Sequence, residues 1–363
     1  MVKPQADGLI ARTIGYCGRN PLLTVIIVGA LAVAGFRALM TTPLDAIPDL
    51  SDVQVIVYTE WEGRSPDLVE DQITYPLTTK LLAAPGVRFV RGQSFMGLSF
   101  VYVVFDDGTD IYWARSRVLE YLSSAVAELP AGATPMLGPD ATGVGWVYQY
   151  ALVDRTGQLS LADLRTLQDF TLKYALEAVE GVAEVASVGG YEKEYQVNVD
   201  PIKLAAYDIP LQRVAAAVRA SNNDVGGRVI EVAGHEQFVR GRGYVRSAAD
   251  IESVVLDVAA GGVPVTVGDV ATVTIGPAMQ RGQAELDGEG LTAGGIVVMR
   301  YGSNALAVIE GVKARLAELE PGFPEGLELV PVYDRSSLIL AAVDTLRRTL
   351  IEEILIVAAI IGL

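Results

Sequence analysis

The chain has 363 residues, 51% of them hydrophobic, with 44 acidic against 28 basic side chains and a formal net charge of −16. That length leaves room for two or three domains, and the acidic excess excludes a phosphate-tracking surface, so nucleic acid is not an expected partner. With a single cysteine (Cys17) and a single histidine (His235), a disulfide and a His-rich zinc site are excluded; a Cys/His pair or Ser/His/Asp triad would have to use His235, and the chain does not read as an enzyme.

Residues 1–20 contain LIARTIGYCGRN, which suits an interfacial helix at a membrane surface. PLLTVIIVGALAVAGFRALM follows, with Arg37 as its only charge. A bilayer crossing needs roughly 20 apolar residues, so 21–41 reads as a first transmembrane helix. A cleaved signal peptide is the competing reading. The run is long for one, and TTPLDAIPDL follows where a small-residue cleavage site would stand. Lys3, Arg12 and Arg19 before the span favour a cytoplasmic N-terminus and an exported stretch over 44–335. Thr42-Pro43 and Ile47-Pro48 prevent the helix from continuing.

From Asp52 the pattern turns soluble. DVQVIVYTEW is a predicted strand, and Ser65-Pro66-Asp67 a helix start with Ser as N-cap. Val69, Ile73, Leu77 and Leu81 then share a face, with Pro76 as a kink. Strands follow around VRFVRG and LSFVYVVF, turning at Met96-Gly97, then a helix from about Asp110 to Leu129 and a short strand near Thr134–Leu137. This β-α-β-β-α-β order over 44–132 is the split βαβ, ferredoxin-like signature.

The order then restarts. GWVYQYALVD is a strand, Ser160 to Asp163 a capping box, and Leu164, Leu167, Thr171 and Ala175 the expected buried face of the helix. Gly181 is read as its C′ residue, before the strand VAEVASVGG. A module over 191–274 interrupts this second unit. It has a strand with Tyr195, Val197 and Val199 on one face, helices near 201–207 and 211–221, and a hairpin with His235 at its tip. The second unit (133–190 and 275–333) resumes with AELDGEG and LTAGGIVVMR as strands, a helix from Ala305 to Leu319, and LELVPVY as the last strand. Ile354–Leu363 is too short to cross a bilayer alone, so 336–363 is expected to be the start of a second transmembrane helix cut within its span.

The motif search is mostly negative. Asp106-Asp107-Gly108-Thr109-Asp110 resembles part of a calcium loop, but a turn plus an N-cap accounts for it. No G-x-G-x-x-G or Walker-type loop is present, so no cofactor is expected. Gly143-Val-Gly145-Trp146 is a glycine-rich bend. Thioether sulfur is a soft ligand suited to Cu(I) or Ag(I). Met299 sits in an apolar strand and reads as core, whereas Met96 and Met136 lie in loop-like contexts without partners in sequence. Met279, polar-flanked in IGPAMQRG, is the candidate metal contact, with simple packing as its competing reading. Trp146 and Tyr148, two apart on a strand, point the same way and either line a cleft or fill the core.

Taken together, TPLDAIPDLSDVQV, VRGQSFMGLSFVYVVFDDGTDIYWARSRVLEYL, LGPDATGVGWVYQYALVD, LRTLQDF, VAEVASVGG and YDRSSLI resemble the heavy-metal-efflux branch of the resistance–nodulation–division (RND) transporters, on the Cu(I)/Ag(I) side. The resemblance covers the N-terminal third of such a pump. It implies an α+β membrane protein: tandem ferredoxin-like periplasmic porter subdomains with an inserted docking module, flanked by transmembrane helices. It further implies a bacterial inner-membrane, multi-pass homotrimer that exports metal ions by the proton motive force through a periplasmic membrane-fusion adaptor and an outer-membrane channel. Such pumps use a three-methionine site and a proton relay that both lie outside this chain. Met279 alone falls on a methionine assigned to the ion route. In the divalent-cation branch an acid is expected where Trp146 stands, while Asp169 is shared. The alternatives are a zinc, cobalt or cadmium exporter and a membrane-anchored periplasmic scaffold or binding module.

Overall fold

Two antiparallel sheets, each covered by helices on one face, carry most of the chain beyond the N-terminal helices, and a smaller unit is inserted into the second. The computed structural model describes residues 8–41, 45–241, 243–259, 261–280 and 282–362. α1 (Leu9–Arg19) and α2 (Pro21–Thr41) are separate helices that break at Asn20. Among the described residues, one helix is long and apolar enough to cross a membrane. Its window Pro21–Ala38 has a mean hydropathy of 2.0 and none of it is buried against the rest of the chain. The expected stop at Thr42-Pro43 lies outside the described residues.

β1 (Gln54–Glu60) alternates strictly, with Val55, Val57 and Thr59 buried. The next helix comes in three pieces: α3 (Pro66–Val69), a π segment (Glu70–Thr74) and α4 (Tyr75–Leu81). Ser65 takes the N-cap position with Pro66 at N1, but its hydroxyl makes no capping bond. Val69, Ile73, Leu77 and Leu81 are fully buried as expected, each contributing about 1.5–3 kcal/mol of apolar burial. Their unvarying spacing of four suits a helix widened by a π turn better than a regular 3.6-residue one. Pro76 lacks an N–H and crowds the carbonyl four residues back, and the π segment just before it absorbs that misfit.

β2 (Val87–Phe95) and β3 (Leu98–Phe105) turn at Met96-Gly97, where Gly97 takes φ +67. α5 (Ile111–Ala125) starts at Asp110, whose carboxylate accepts from the Trp113 N–H at 2.8 Å, so the 106–110 acidic run is a turn and a cap. β4 (Thr134–Leu137) completes the sheet in the order β2-β3-β1-β4, every pair antiparallel. Val57, Ile73, Phe105 and Val118 lie in the core between sheet and helices.

In the second unit β5 (Trp146–Asp154) leads to α6 (Leu161–Leu167), a second π segment (Gln168–Leu172) and α7 (Lys173–Glu177). The Ser160/Asp163 capping box forms as expected. The buried face is Leu164, Gln168, Leu172 and Leu176; of the other residues expected on one side, Leu167 and Ala175 are half-buried and Thr171 is exposed. The π segment holds the spacing at four here too, and a polar Gln168 in the stripe hides it from hydrophobic periodicity. Gly181, with φ +84, belongs to the turn into β6 (Val182–Gly189), three positions beyond the C-cap Ala178.

The inserted unit comprises β7 (Lys193–Val199), α8 (Pro201–Tyr207), α9 (Leu211–Ser221), β8 (Val225–Val232), β9 (His235–Gly241), α10 (Ala248–Glu252), β10 (Val255–Val258), β11 (Pro264–Thr266), α11 (Val267–Val270) and β12 (Ala271–Pro277). β7 pairs with β12 from Val199↔Ala271 to Lys193↔Pro277. Tyr195 points to the side of Val197 and Val199 but stays exposed, because its partner Ile275 is exposed and the unit's core ends short of that pair. β8 and β9 form a separate two-stranded ribbon. Its turn, Ala233-Gly234, has positive φ at both residues, as a two-residue primed turn requires, and His235 follows it at the tip.

The chain returns through β13 (Ala284–Glu285), β14 (Leu291–Met299), α12 (Ala305–Leu319), β15 (Leu327–Asp334) and α13 (Arg335–Gly362). AELDGEG is a strand only at its first two residues, since Asp287, Gly288 and Gly290 adopt left-handed φ. β14 lies between β5 and β6, and β15 flanks β5 on the far side, all antiparallel. Both sheets therefore share one strand order.

Candidate functional site

A groove of about 1010 Å³ runs between the strand ends and turns at one end of the first sheet and the second unit. Glu60, Glu62, Met96 and Leu98 line it from the first sheet. Arg165, the segment from Ser187 to Glu192, and Glu194 line it from the second unit and the start of the insert, and the loop after β12 contributes Met279 and Gln280. Four carboxylates (Glu60, Glu62, Glu192 and Glu194) face one guanidinium (Arg165). The groove is therefore a region of negative potential that concentrates cations.

Met279 is 78% exposed, and its loop is held on both sides. Ala278 N–H donates to the Glu192 carbonyl at 2.9 Å, and Gln280 Nε2 to the Gly190 carbonyl at 3.4 Å. The structure brings Met96, 61% exposed, into the same groove. Sequence context gave it no partner, because β2–β3 and β12–β13 are far apart in the chain. Met136 is on strand β4, not in a loop, where the Tyr58 hydroxyl contacts its sulfur at 3.9 Å. Met299 is buried in the second core as expected. His235 is exposed on the hairpin, far along the chain from any of these groups.

Asp169 sits at the π segment and is already engaged. Arg165 Nε donates to it at 2.6 Å and Ser187 Oγ at 2.5 Å, while Arg165 also reaches the Gly189 carbonyl at 3.1 Å and Glu192 at 3.2 Å. A second groove of about 560 Å³, lined by Asp169, Phe170 and Glu184, shares Arg165, Ser187 and Glu192 with the first. Behind Asp169, Gln168 is fully buried and accepts from the Tyr150 hydroxyl at 2.8 Å. Burial pushes the Tyr150 phenol well above its usual range, so it remains a donor.

Trp146 and Tyr148 do not share an environment. Trp146 pairs with Val298 and Tyr148 with Val297, so Val147 is an extra residue on β5 and the alternation breaks there. Tyr148 is in the core, Trp146 is about half exposed, and Trp146 lines neither groove. Its carbonyl accepts from Arg335 at 2.8 Å. Among the described residues no three His, Cys, Asp or Glu side chains converge as a metal-ligand set. What the groove offers is a negative field with two neutral sulfur donors inside it, a combination that favours a soft, singly charged cation over a hard divalent one.

The model of the AcrB/AcrD/AcrF family matches residues 14–363. The chain is 54% identical over 341 residues to the cation efflux system protein CusA of Escherichia coli K12, covering 93% of this chain and 33% of that protein. It is 51% identical to the putative cation efflux system protein SilA of Salmonella typhimurium, covering 93% and 32%. With the cobalt-zinc-cadmium resistance protein CzcA of Cupriavidus metallidurans the identity is 34%, covering 98% and 34%. A crystal structure of a heavy metal efflux pump superposes with a TM-score of 0.84 at 31% identity, over 93% of this chain and 34% of that one. The chain spans about a third of the length of the relatives it matches.

Proposed function

Because the chain belongs to the AcrB/AcrD/AcrF family, we propose that it forms the N-terminal third of an inner-membrane, proton-driven efflux pump that exports Cu(I) and Ag(I). In this reading 21–41 is the first transmembrane helix and 336–363 begins the second. Residues 44–335 are periplasmic. The first porter subdomain runs from 44 through β4, which pairs with β1 and so extends it past the boundary at 132 expected from sequence. The docking module runs from 191 through β12, which pairs with β7 as far as Pro277 rather than ending at 274. The second porter subdomain is what lies between and after them, up to 333. The order β2-β3-β1-β4, repeated as β6-β14-β5-β15, supports ferredoxin-like subdomains. The pump works as a homotrimer with a membrane-fusion adaptor and an outer-membrane channel, and Met279 touches the ion on its route.

The observation that carries the choice of ion is the acidic groove holding exposed thioether sulfur. Carboxylates alone would suit Zn²⁺ or Co²⁺, whereas sulfur selects Cu(I) and Ag(I).

The test is the pump encoded by the extended reading frame that holds this chain, expressed in a copper-sensitive host. Tolerance to copper and silver should rise, with that to zinc and cobalt unchanged, and Met279→Ile should lower it at constant pump level. A rise for zinc and cobalt alone would assign the divalent branch. No rise for any metal, with the protein correctly inserted, would favour a scaffold.

A further inference from the structure

The segment that leads from β4 into β5 is tied to one unit at each of its ends. On the first side Gly138 N–H donates to the Ile56 carbonyl at 2.7 Å, and Arg115 reaches the Gly138 carbonyl at 2.8 Å. On the second, Met299 N–H donates to the Gly145 carbonyl at 2.7 Å, between the Val144 and Trp146 carbonyls that Arg335 holds. Amid these anchors, Asp140 bonds to both units at once. Its carboxylate accepts from the Tyr112 hydroxyl of α5 at 3.1 Å and lies 3.7 Å from Arg300 Nε, just after β14. Its backbone carbonyl accepts from Tyr301 N–H at 2.9 Å. Thr142 adds one more tie, donating to Asp49 in the irregular segment before β1 at 2.7 Å.

These ties lie at the opposite end of both sheets from the groove. In the first sheet Gly138 meets β1 at Ile56, whereas Glu60 and Glu62 line the groove at and beyond that strand's other end. In the second, β14 ends at Met299 beside the ties, while its Ala293 pairs with Gly189 at the groove. Six residues of strand at about 3.3 Å each separate those two points, a lever of about 20 Å. A rotation of about 10° at the connection carries the far wall by about 3 Å.

We propose that residues 138–145 are a pivot between the two units and that Asp140 is its releasable pin. The Asp140 side chain is 18% exposed but that of Arg300 is 50% exposed, so the ion pair is a weak tie that opens readily. While Asp140 holds Tyr112 and Arg300 together, the groove keeps its width. On release, the backbone bond to Tyr301 stays as the fulcrum. The short run from Asp140 to Gly143 then absorbs the backbone change, as hinge residues do. This goes beyond the export reading, since it concerns the relative motion of two units and holds for any cargo.

Spin labels test the pivot in the intact chain in detergent micelles, with Cys17→Ser as the background. One label pair, on Glu62→Cys and Gln283→Cys, spans the groove from exposed positions on its two walls. A second pair, on Gln283→Cys and Glu310→Cys, lies within the second unit and reports its integrity. Double electron–electron resonance should give one narrow distance across the groove. Asp140→Ala, Tyr112→Phe and Arg300→Gln should each lengthen that distance by about 3 Å or spread it over such a range. The second pair should stay unchanged. Because Tyr112 and Arg300 act through one carboxylate, the two substitutions combined should add little to either alone. If Asp140→Ala fails to fold, the two partner substitutions, which leave Asp140 in place, decide. An unchanged groove distance in the variants overturns the pivot. A change in both label pairs assigns Asp140 to stability alone and removes the pivot as well. Copper tolerance of the full-length pump judges the export reading separately.

Discussion

Arg335 and Asp45, 290 positions apart in the chain, meet as an ion pair at 3.2 Å with the arginine almost fully buried. The same guanidinium donates to the carbonyls of Val144 at 2.6 Å and Trp146 at 2.8 Å. One side chain thus ties together the segment leaving α2, the start of β5 and the first residue of α13. Lys313 pairs with Asp334 next to it and donates to Ser336 at 3.0 Å, fixing the start of the same helix.

Arg335→Met should therefore lower unfolding stability by about 1–3 kcal/mol, since it leaves the Val144 and Trp146 carbonyls without their donor while the partly exposed Asp45 carboxylate turns to water. Arg335→Lys should recover little, because an ammonium is a point charge without the planar fork that reaches three acceptors. Denaturant unfolding of the chain in micelles measures both. A loss below about 1 kcal/mol for the methionine variant would show that the junction does not depend on this residue.

Tyr150→Phe should cost about 1–3 kcal/mol by leaving the buried Gln168 carbonyl oxygen without its donor. Gly295→Ala should disturb the same bond, because a Cβ there would lie 2.5 Å from the Tyr150 hydroxyl oxygen. Thermal melts of the two variants and of their combination should show less than additive losses. Strict additivity would place the two residues in separate interactions.

Acid should weaken the second unit in a defined window. Asp154 is held down to about 2 by hydrogen bonds from the Thr156 hydroxyl and the Leu159 N–H, and Asp163 to about 2 by Lys193 and Ser160. A carboxylate whose folded pKa lies below its unfolded value of about 3.9 stabilises the fold above that pH. That stability is lost as pH falls from about 4 to about 2. Asp154→Asn and Asp163→Asn should each flatten the decline in melting temperature over this interval. A slope identical to that of the unsubstituted chain would discount these bonds.

Topology is checked with single cysteines at Ser123 and His235 after Cys17 is replaced. An impermeant thiol reagent should label both in intact cells that carry the full-length pump. Protection of both positions would reverse the orientation given to 44–335.

Every residue of the strand β9, from His235 to Gly241, is exposed, and among the described residues the ribbon pairs with no other strand. A protrusion of this kind closes a ring when each subunit also offers a receiving surface. Deleting Arg228–Arg240 in the full-length pump should weaken the proposed trimer on native gels. An undiminished trimer would leave the ribbon without an assembly role.

Much of this protein is legible without coordinates, for local reasons. The apolar run from Leu22 to Phe36 dictates a helix whose surface water cannot satisfy, and the alternation of β1 and the caps at Asp110 and Ser160 depend only on neighbours in the chain. So do the hairpin with His235 at its tip and the extent of α12. The readings that failed needed information from distant strands or backbone. The bulge at Val147 separates Trp146 from Tyr148 because β14 pairs across it, and the π segment at Gln168–Leu172 moves the buried face away from Thr171. The groove belongs wholly to tertiary structure. Met96 and Met279 are 183 residues apart, and the acids around them come from β1, the Trp61–Arg64 turn and the start of the insert. Sequence determined which soft donors the chain possesses; packing of the turn end of one sheet against the other unit decided which of them face the same space. Periodicity reports only contacts a few residues apart, while a binding site is made by surfaces that meet after the cores have formed.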